Sequence, residues 1–375
     1  MINKRRMINK FKQLVKIDSL SLREGKVMRY LICEMKALGL KPYFTGKPKN
    51  GEVANLIVDV PGRGKKSPCF LLNAHVDTVS PGKNIKPIEK GNFITSDGTT
   101  ILGADDKSGV AAILEILTVL KKKKREHPPI QVVFTVAEEI GLIGANSLPK
   151  NILYADYGIV FDSGGVEDIV YKAPSQVNLT ATVIGKSAHA GIHPEEGINA
   201  IKVASEAIAK MKFGRIDKET TANIGFIKGG KATNIIPDEV QIKGEARSHE
   251  PKKLKKQIGH MKGVLTKTCK KFGAKVKIET KLMYRSFEVK RSSKILRLAL
   301  SALKRNKIKP KLKQTGGGSD ANVFNGYGIP SVIMGSGMKN VHTTSEKLVI
   351  KDLIKGAAVV LDLICEAPRQ SSGQV

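Results

Sequence analysis

Apolar and polar positions alternate with three different periods along this chain, and each change of period marks a segment. Near the amino end Met7, Phe11, Leu14 and Val15 recur at helical spacing and 31–38 continues it, which predicts the first core helices. The apolar runs 53–60 and 69–74 then read as strands divided by the Pro61-Gly62-Arg63-Gly64 turn. A stripe of Val110, Ile113, Leu114 and Leu117 predicts a helix over 107–120, followed by strands over 130–136 and 157–161. Strand, helix and strand in that order imply parallel pairing.

After Pro174 the texture changes. The run 177–184 alternates apolar with small polar residues, 198–211 and 254–272 are helical, and 222–227 and 240–246 are strand-like, which together describe a small α+β unit. From 287 the α/β character returns, with a helix over 295–303, a loop Gly316-Gly317-Gly318-Ser319-Asp320, a strand over 331–334 and a terminal helix over 349–365. A chain of 375 residues is expected to bury two cores. The expected division is a discontinuous α/β domain of 1–175 and 285–375 with a central mostly parallel sheet, and an inserted α+β domain of 176–284.

Composition narrows the class. Hydrophobic residues are 41% and charged residues 26%, and no apolar run reaches membrane-spanning length, so an integral membrane protein is not expected. The basic start 1–7 leads into 11–16 with no long apolar region, so no export signal is expected. Cys33, Cys69, Cys269 and Cys365 are scattered without paired spacing, which points to a reducing cytoplasm. The net charge of +30, from 64 Lys and Arg against 34 Asp and Glu, raises nucleic acid as a rival partner. Yet the densest clusters, 121–125 and 252–271, lie at the end of one helical pattern and along another, as solvated faces do. Trp is absent, aromatics are 5%, and no RNP-like or zinc-finger spacing accompanies the charge. Nucleic-acid binding is not expected as the main role.

Five candidate metal ligands, His75, Asp105, Glu139, Asp162 and His342, stand at or just beyond strand ends or in the loops that follow. Each has a plain reading when taken alone. His75 in His75-Val76-Asp77 fits a hydrogen-bonded structural histidine, or a ligand whose second nitrogen is held by Asp77. Asp105 and Asp106 fit helix capping, Glu138 and Glu139 a solvated pair, Asp162 a turn residue, and His342 nothing in particular. Ligands of open α/β sheets gather outside the carboxyl ends of the strands, and several carboxylates with two imidazoles suit a zinc-like pair. Gly316 to Gly318 predict a tight turn, since no Lys-Ser or Lys-Thr follows as in a phosphate-binding loop.

The ordered set His75-Val76-Asp77, Gly103-Ala104-Asp105-Asp106-Lys107, Ala137-Glu138-Glu139-Ile140-Gly141, Phe161-Asp162-Ser163, Gly317-Gly318-Ser319-Asp320-Ala321 and Val341-His342-Thr343 resembles the M20 family of metallopeptidases, in its peptidase T-like branch. The resemblance runs over nearly the whole chain. It implies two Zn2+ ions per subunit, with Co2+ or Mn2+ as alternatives, held by His75, Asp105 and Asp162 on one side and by Glu139, His342 and a bridging Asp105 on the other. It implies Glu138 as general base towards water activated between the ions, Asp77 as the residue orienting His75, and a cis peptide between Asp105 and Asp106. The inserted domain would be a lid and would form a homodimer. There His189, in Ser187-Ala188-His189-Ala190-Gly191, would stabilise the oxyanion, across the dimer. Asn234 and Arg247 would contact the substrate carboxylate; the lesser alternatives are a pre-proline turn for Asn234, an ion pair within the lid for Arg247 and a plain surface histidine for His189. The implied activity is that of a cytoplasmic exopeptidase on short peptides, and aspartate at 162 leans towards an aminopeptidase. An amidohydrolase acting on acyl amino acids, or a carboxypeptidase, would share every metal residue. A silent basic binding protein on the same fold is the alternative from another class.

Overall fold

The strand Phe70–His75 is buried along its whole length and lies inside a nine-stranded mixed sheet. It pairs in parallel with Ile130–Thr135 on one side and Tyr157–Ser163 on the other, and the latter pairs in parallel with Ser331–Gly335. Beyond Ile130–Thr135 the order continues through Asn55–Val60 to Pro42–Thr45, both joined antiparallel. On the opposite flank Asp168–Ala173 runs antiparallel to Ser331–Gly335 and takes Lys311–Gln314 in parallel. The four central strands are parallel to one another and largely buried, as parallel strands covered on both faces are, which is why their sequences are mainly apolar, with Asn73 and Gln131 as buried polar exceptions. All four carboxyl ends therefore open on one edge of the sheet.

The computed structural model describes residues 1–366. One compact unit comprises Met1–Lys172, Glu288–Gln314 and the chain from Ser319 onward; the other comprises Ala173–Phe287 with Thr315–Gly318. In the first unit the helix Ala104–Lys123 packs against Phe70–His75 and against the helices Lys4–Val15 and Ile350–Cys365. The helical stripe of Met7, Phe11, Leu14 and Val15 is fully buried. Phe11, Phe70, Phe134, Phe161 and Phe324 are the largest apolar side chains with no exposure, each contributing roughly 1.5–3 kcal/mol of burial.

The Ala104–Lys123 helix starts before the predicted 107, and its first residues are irregular: Asp105 (φ −80, ψ 107) and Asp106 (φ −117, ψ 33) are not helical. The peptide between them is cis, as are Ser67-Pro68 and Ser80-Pro81. A small four-stranded sheet of Ile88–Lys90, Phe93–Thr95, Met338–Lys339 and Lys347–Val349 was not predicted, its strands being too short to show a period.

The second unit is an antiparallel five-stranded sheet in the order Gly214–Arg215, Thr220–Gly229, Glu239–Ser248, Ser175–Ile184, Lys275–Tyr284. Leu179, Ala181 and Val183 alternate into a core shared with Val240, Ile242, Val203, Met261 and Leu265, the last three on the helices Ala200–Lys210 and Pro251–Lys271. Thr315–Gly318 groups with this unit and not with the larger one expected from sequence, because Gly318 backs onto the Tyr284 ring so closely that a β-carbon would lie 2.2 Å from it. That contact, more than a tight turn, is what glycine serves there. Among the described residues no helix is long and apolar enough to cross a membrane.

Candidate metal and catalytic centre

The common strand edge brings the candidate ligands together. His75 ends Phe70–His75, Asp162 is next to last in Tyr157–Ser163, Glu138 and Glu139 follow Ile130–Thr135, and His342 sits beyond Ser331–Gly335 with φ 64. Asp105 reaches the same place from the irregular start of its helix. One Asp105 oxygen, Oδ1, is 3.0 Å from His75 Nε2, and the other, Oδ2, is 3.4 Å from His342 Nε2. His342 Nε2 also lies 3.0 Å from Glu139 Oε1 and 3.0 Å from Oε2. Asp105 thus stands between two imidazoles, and His75, Asp105 and Glu139 offer ligand atoms within 4.8 Å of one another. Asp162 faces this cluster electrostatically, its strongest charged neighbour being Asp105.

Asp77 is fully buried behind it. His75 Nδ1 lies 3.1 Å from the Asp77 carbonyl oxygen and 3.4 Å from its Oδ1, so Nδ1 donates to Asp77, and an ion taking the place of the Nε2 proton would meet that nitrogen's lone pair. The Asp77 carboxylate does more than orient an imidazole. It accepts the Ser21 hydroxyl at 2.7 Å and the backbone N–H groups of Glu138 at 3.0 Å and Glu139 at 3.2 Å, pinning both glutamates. Glu24, also unforeseen, accepts the next amide back, that of Ala137, at 3.0 Å.

The charge balance is strongly acidic. Burial, reinforced by neighbouring carboxylates, pushes Glu138 and Asp162 well above the usual carboxylate range and raises Glu139. Burial also lifts Asp106 well up and Asp320 to about 6. Asp105 goes the other way: burial opposes ionisation, but His342 and His75 hold its pKa low, while Asp105 and Glu139 raise His342 to about 10. Asp106 Oδ2 and Asp320 Oδ1 are buried without a hydrogen-bond partner. Several carboxylates, two imidazoles and orphaned acidic oxygens in one buried place are the conditions that divalent cations relieve, so this donor set fits a pair of zinc-like ions.

Three neighbours had no role in the sequence reading. Asp320 accepts from Thr135 Oγ1 and from Asn73 Nδ2 and opens the helix Asp320–Gly326, whose Ser319 forms a capping box with Asn322. Glu346, four residues after His342, accepts backbone N–H groups of the Asp105 turn. Lys107, in the Gly103–Lys107 motif, is fully buried with Nζ donating to the Ile17 carbonyl at 2.7 Å, and burial lowers its pKa to about 7.

The three remaining candidates lie in the second unit. His189 is exposed and its backbone bridges to Ile235, while Ala190 N–H donates to the Asn234 carbonyl at 3.0 Å, so His189 and Asn234 are on adjacent segments. Gly191 N–H donates to His189 Nδ1 at 3.2 Å, which leaves the neutral ring's proton on Nε2, free to donate outward. Arg247 grips Glu245 with two parallel bonds of 2.8 and 3.1 Å, the ion pair within the inserted unit that sequence left open.

The family description "Peptidase family M20/M25/M40" matches residues 71–366. The Bacillus subtilis protein YqjE is 41% identical over 98% of this chain and 100% of its own length. A tripeptidase from Staphylococcus aureus superimposes with a TM-score of 0.91 at 42% identity, covering 97% of this chain and 98% of that one. The aminopeptidase PepT from Bacillus cereus gives 0.85 at 41% identity, over 97% and 99%. With the motifs clustered at one sheet edge and the match spanning both units, the chain belongs to peptidase family M20/M25/M40 and is a metallopeptidase.

Proposed function

We propose that the protein is a two-metal aminopeptidase that removes the first residue of short peptides, tripeptides foremost. The observation that carries this is the single cluster in which Asp105 stands between His75 and His342 with Glu139 beside it, on a chain that matches a tripeptidase and an aminopeptidase end to end. His75, Asp105 and Asp162 would hold one ion and Glu139, His342 and Asp105 the other, zinc being the metal the donors suit, with cobalt or manganese as substitutes. When bound there, two such ions would supply an acidified water and a polarised carbonyl. Glu138, whose burial gives its carboxylate a high proton affinity, takes the proton from the attacking water and returns it to the leaving amine. Asp77 keeps Glu138 in place through its amide. Asn234 and Arg247 hold the peptide's carboxylate. The four free cysteines suit a cytoplasmic setting.

The same reading makes the protein a homodimer through the inserted unit. In support, the strand Thr220–Gly229 has no partner on its outer side beyond Ala222 among the described residues, and it exposes Phe226 and Ile227. His189, with its proton on Nε2, would stabilise the oxyanion of the partner's site. His189→Ala is expected to lower kcat about 10²–10³-fold with metal content unchanged. Mixing it with Glu138→Ala protein should restore about a quarter of wild-type activity, since half the dimers would be mixed and each would hold one intact site. No recovery from mixed dimers would remove the cross-subunit role.

The function itself is tested with zinc-loaded protein on free and amino-blocked di- and tripeptides and on acyl amino acids, each with and without a chelator. Chelator-sensitive cleavage confined to peptides with a free amino end is the expected result. Cleavage of blocked substrates would instead make it a carboxypeptidase or deacylase, and no turnover would leave a binding protein.

A further inference from the structure

The turn that delivers Asp105 to the centre has an unusual anchor. At a helix start the free N–H groups are commonly satisfied by a side chain one to three residues upstream. Here the N-cap position is Gly103, with φ 71 and no side chain to offer, and Asp105 and Asp106 depart from helical geometry. The missing acceptor comes from 241 residues away: Glu346 Oε1 accepts the Asp105 N–H at 3.1 Å, while its Oε2 accepts those of Leu102 and Gly103, both at 2.7 Å. Glu346 is 1% exposed, so three directed amides are what make its burial tolerable in an already acidic region.

Glu346 also belongs to the loop that carries His342. Its own N–H donates to the Thr343 carbonyl at 3.1 Å, and Thr343 Oγ1 donates to the Asn340 carbonyl at 2.7 Å, closing 340–346 on itself. One short loop therefore touches Asp105 twice, through the His342 imidazole at its carboxylate and through Glu346 at its amide. We propose that Glu346 is a positioning residue for the metal centre, fixing the direction of the Asp105 carboxylate between the two imidazoles and tying that direction to the position of His342. This rests on the two-metal reading above. Groups one step behind the ligands commonly set metal affinity by 10–100-fold, and a residue that aims the shared carboxylate affects both ions.

The test uses full-length Glu346→Gln protein, stripped of metal and titrated with zinc against a chromogenic chelator, beside the visible spectrum of the cobalt form and the thermal midpoint of the stripped protein. The glutamine keeps the length but turns amide hydrogens towards backbone N–H groups. Zinc affinity is expected to fall about 10–100-fold, with a changed cobalt spectrum. Glu346→Asp, which keeps the charge, should recover part of the affinity, and it is scored in the same way if the glutamine variant does not fold. Zinc affinity within about threefold of wild type and an unchanged cobalt spectrum would reduce Glu346 to a support of the fold and overturn the inference. If the wild-type protein itself takes up no second ion in this titration, the two-metal reading falls and this inference with it.

Discussion

Glu138→Ala protein is expected to keep both metal ions and lose about 10²–10⁴-fold in kcat, the span that a positioned general base contributes. The neighbouring glutamates are alike in sequence and divided by geometry. Glu139 points at His342, 3.0 Å away, which suits it to the ligand role proposed for it. Glu138 takes no hydrogen bond from either imidazole among the described residues; it is 8% exposed, faces Asp162 and Asp320 electrostatically, and is held from behind by its amide on Asp77. A carboxylate so placed has the proton affinity to collect a proton and the freedom to hand it on. Removing it should therefore spare the ligands. Steady-state kinetics beside metal analysis on one preparation separates the roles: activity within tenfold of wild type would end the assignment as base, and loss of metal along with activity would make Glu138 a ligand.

The central strands were legible because burial on both faces leaves Phe70–Ala74 and Ile159–Phe161 apolar but for Asn73, whose amide is satisfied inside the sheet, and acidic or imidazole residues follow directly at the ends of these runs. That is how His75, Glu138, Glu139 and Asp162 could be singled out. Long-range partners leave no such mark. The hold of Asp77 on the amides of Glu138 and Glu139 spans 61 and 62 positions, and that of Glu346 on Asp105 spans 241, with no periodicity at either end. Lys275–Tyr284 escaped prediction for a different reason. As an edge strand of the smaller sheet it alternates lysine with Val276 and Ile278, which are only partly buried, so its pattern resembles a solvated charge run. Asn234 and His189 could be placed on adjacent segments by the structure, whereas Arg247 is paired with Glu245, as the bland reading of that residue expects.

His342→Ala should release one of the two ions without unfolding the chain. The imidazole is 49% exposed and lies in a loop, so little buried surface is lost with it. His75, by contrast, is 3% exposed at the end of the central strand, and its removal would disturb the core as well as the metal. Without His342 the outer metal position keeps only Glu139 and the shared Asp105 of its three proposed ligands, which weakens it. Zinc per chain after dialysis should fall from two towards one, and kcat by about 10³-fold, equivalent to the several kcal/mol of charge stabilisation that a second ion supplies. The thermal midpoint of the metal-free variant should stay close to that of the metal-free parent. Retention of both ions through dialysis would mean that His342 orients Glu139 from outside, and the outer ion would then be held by Glu139 and Asp105 without it.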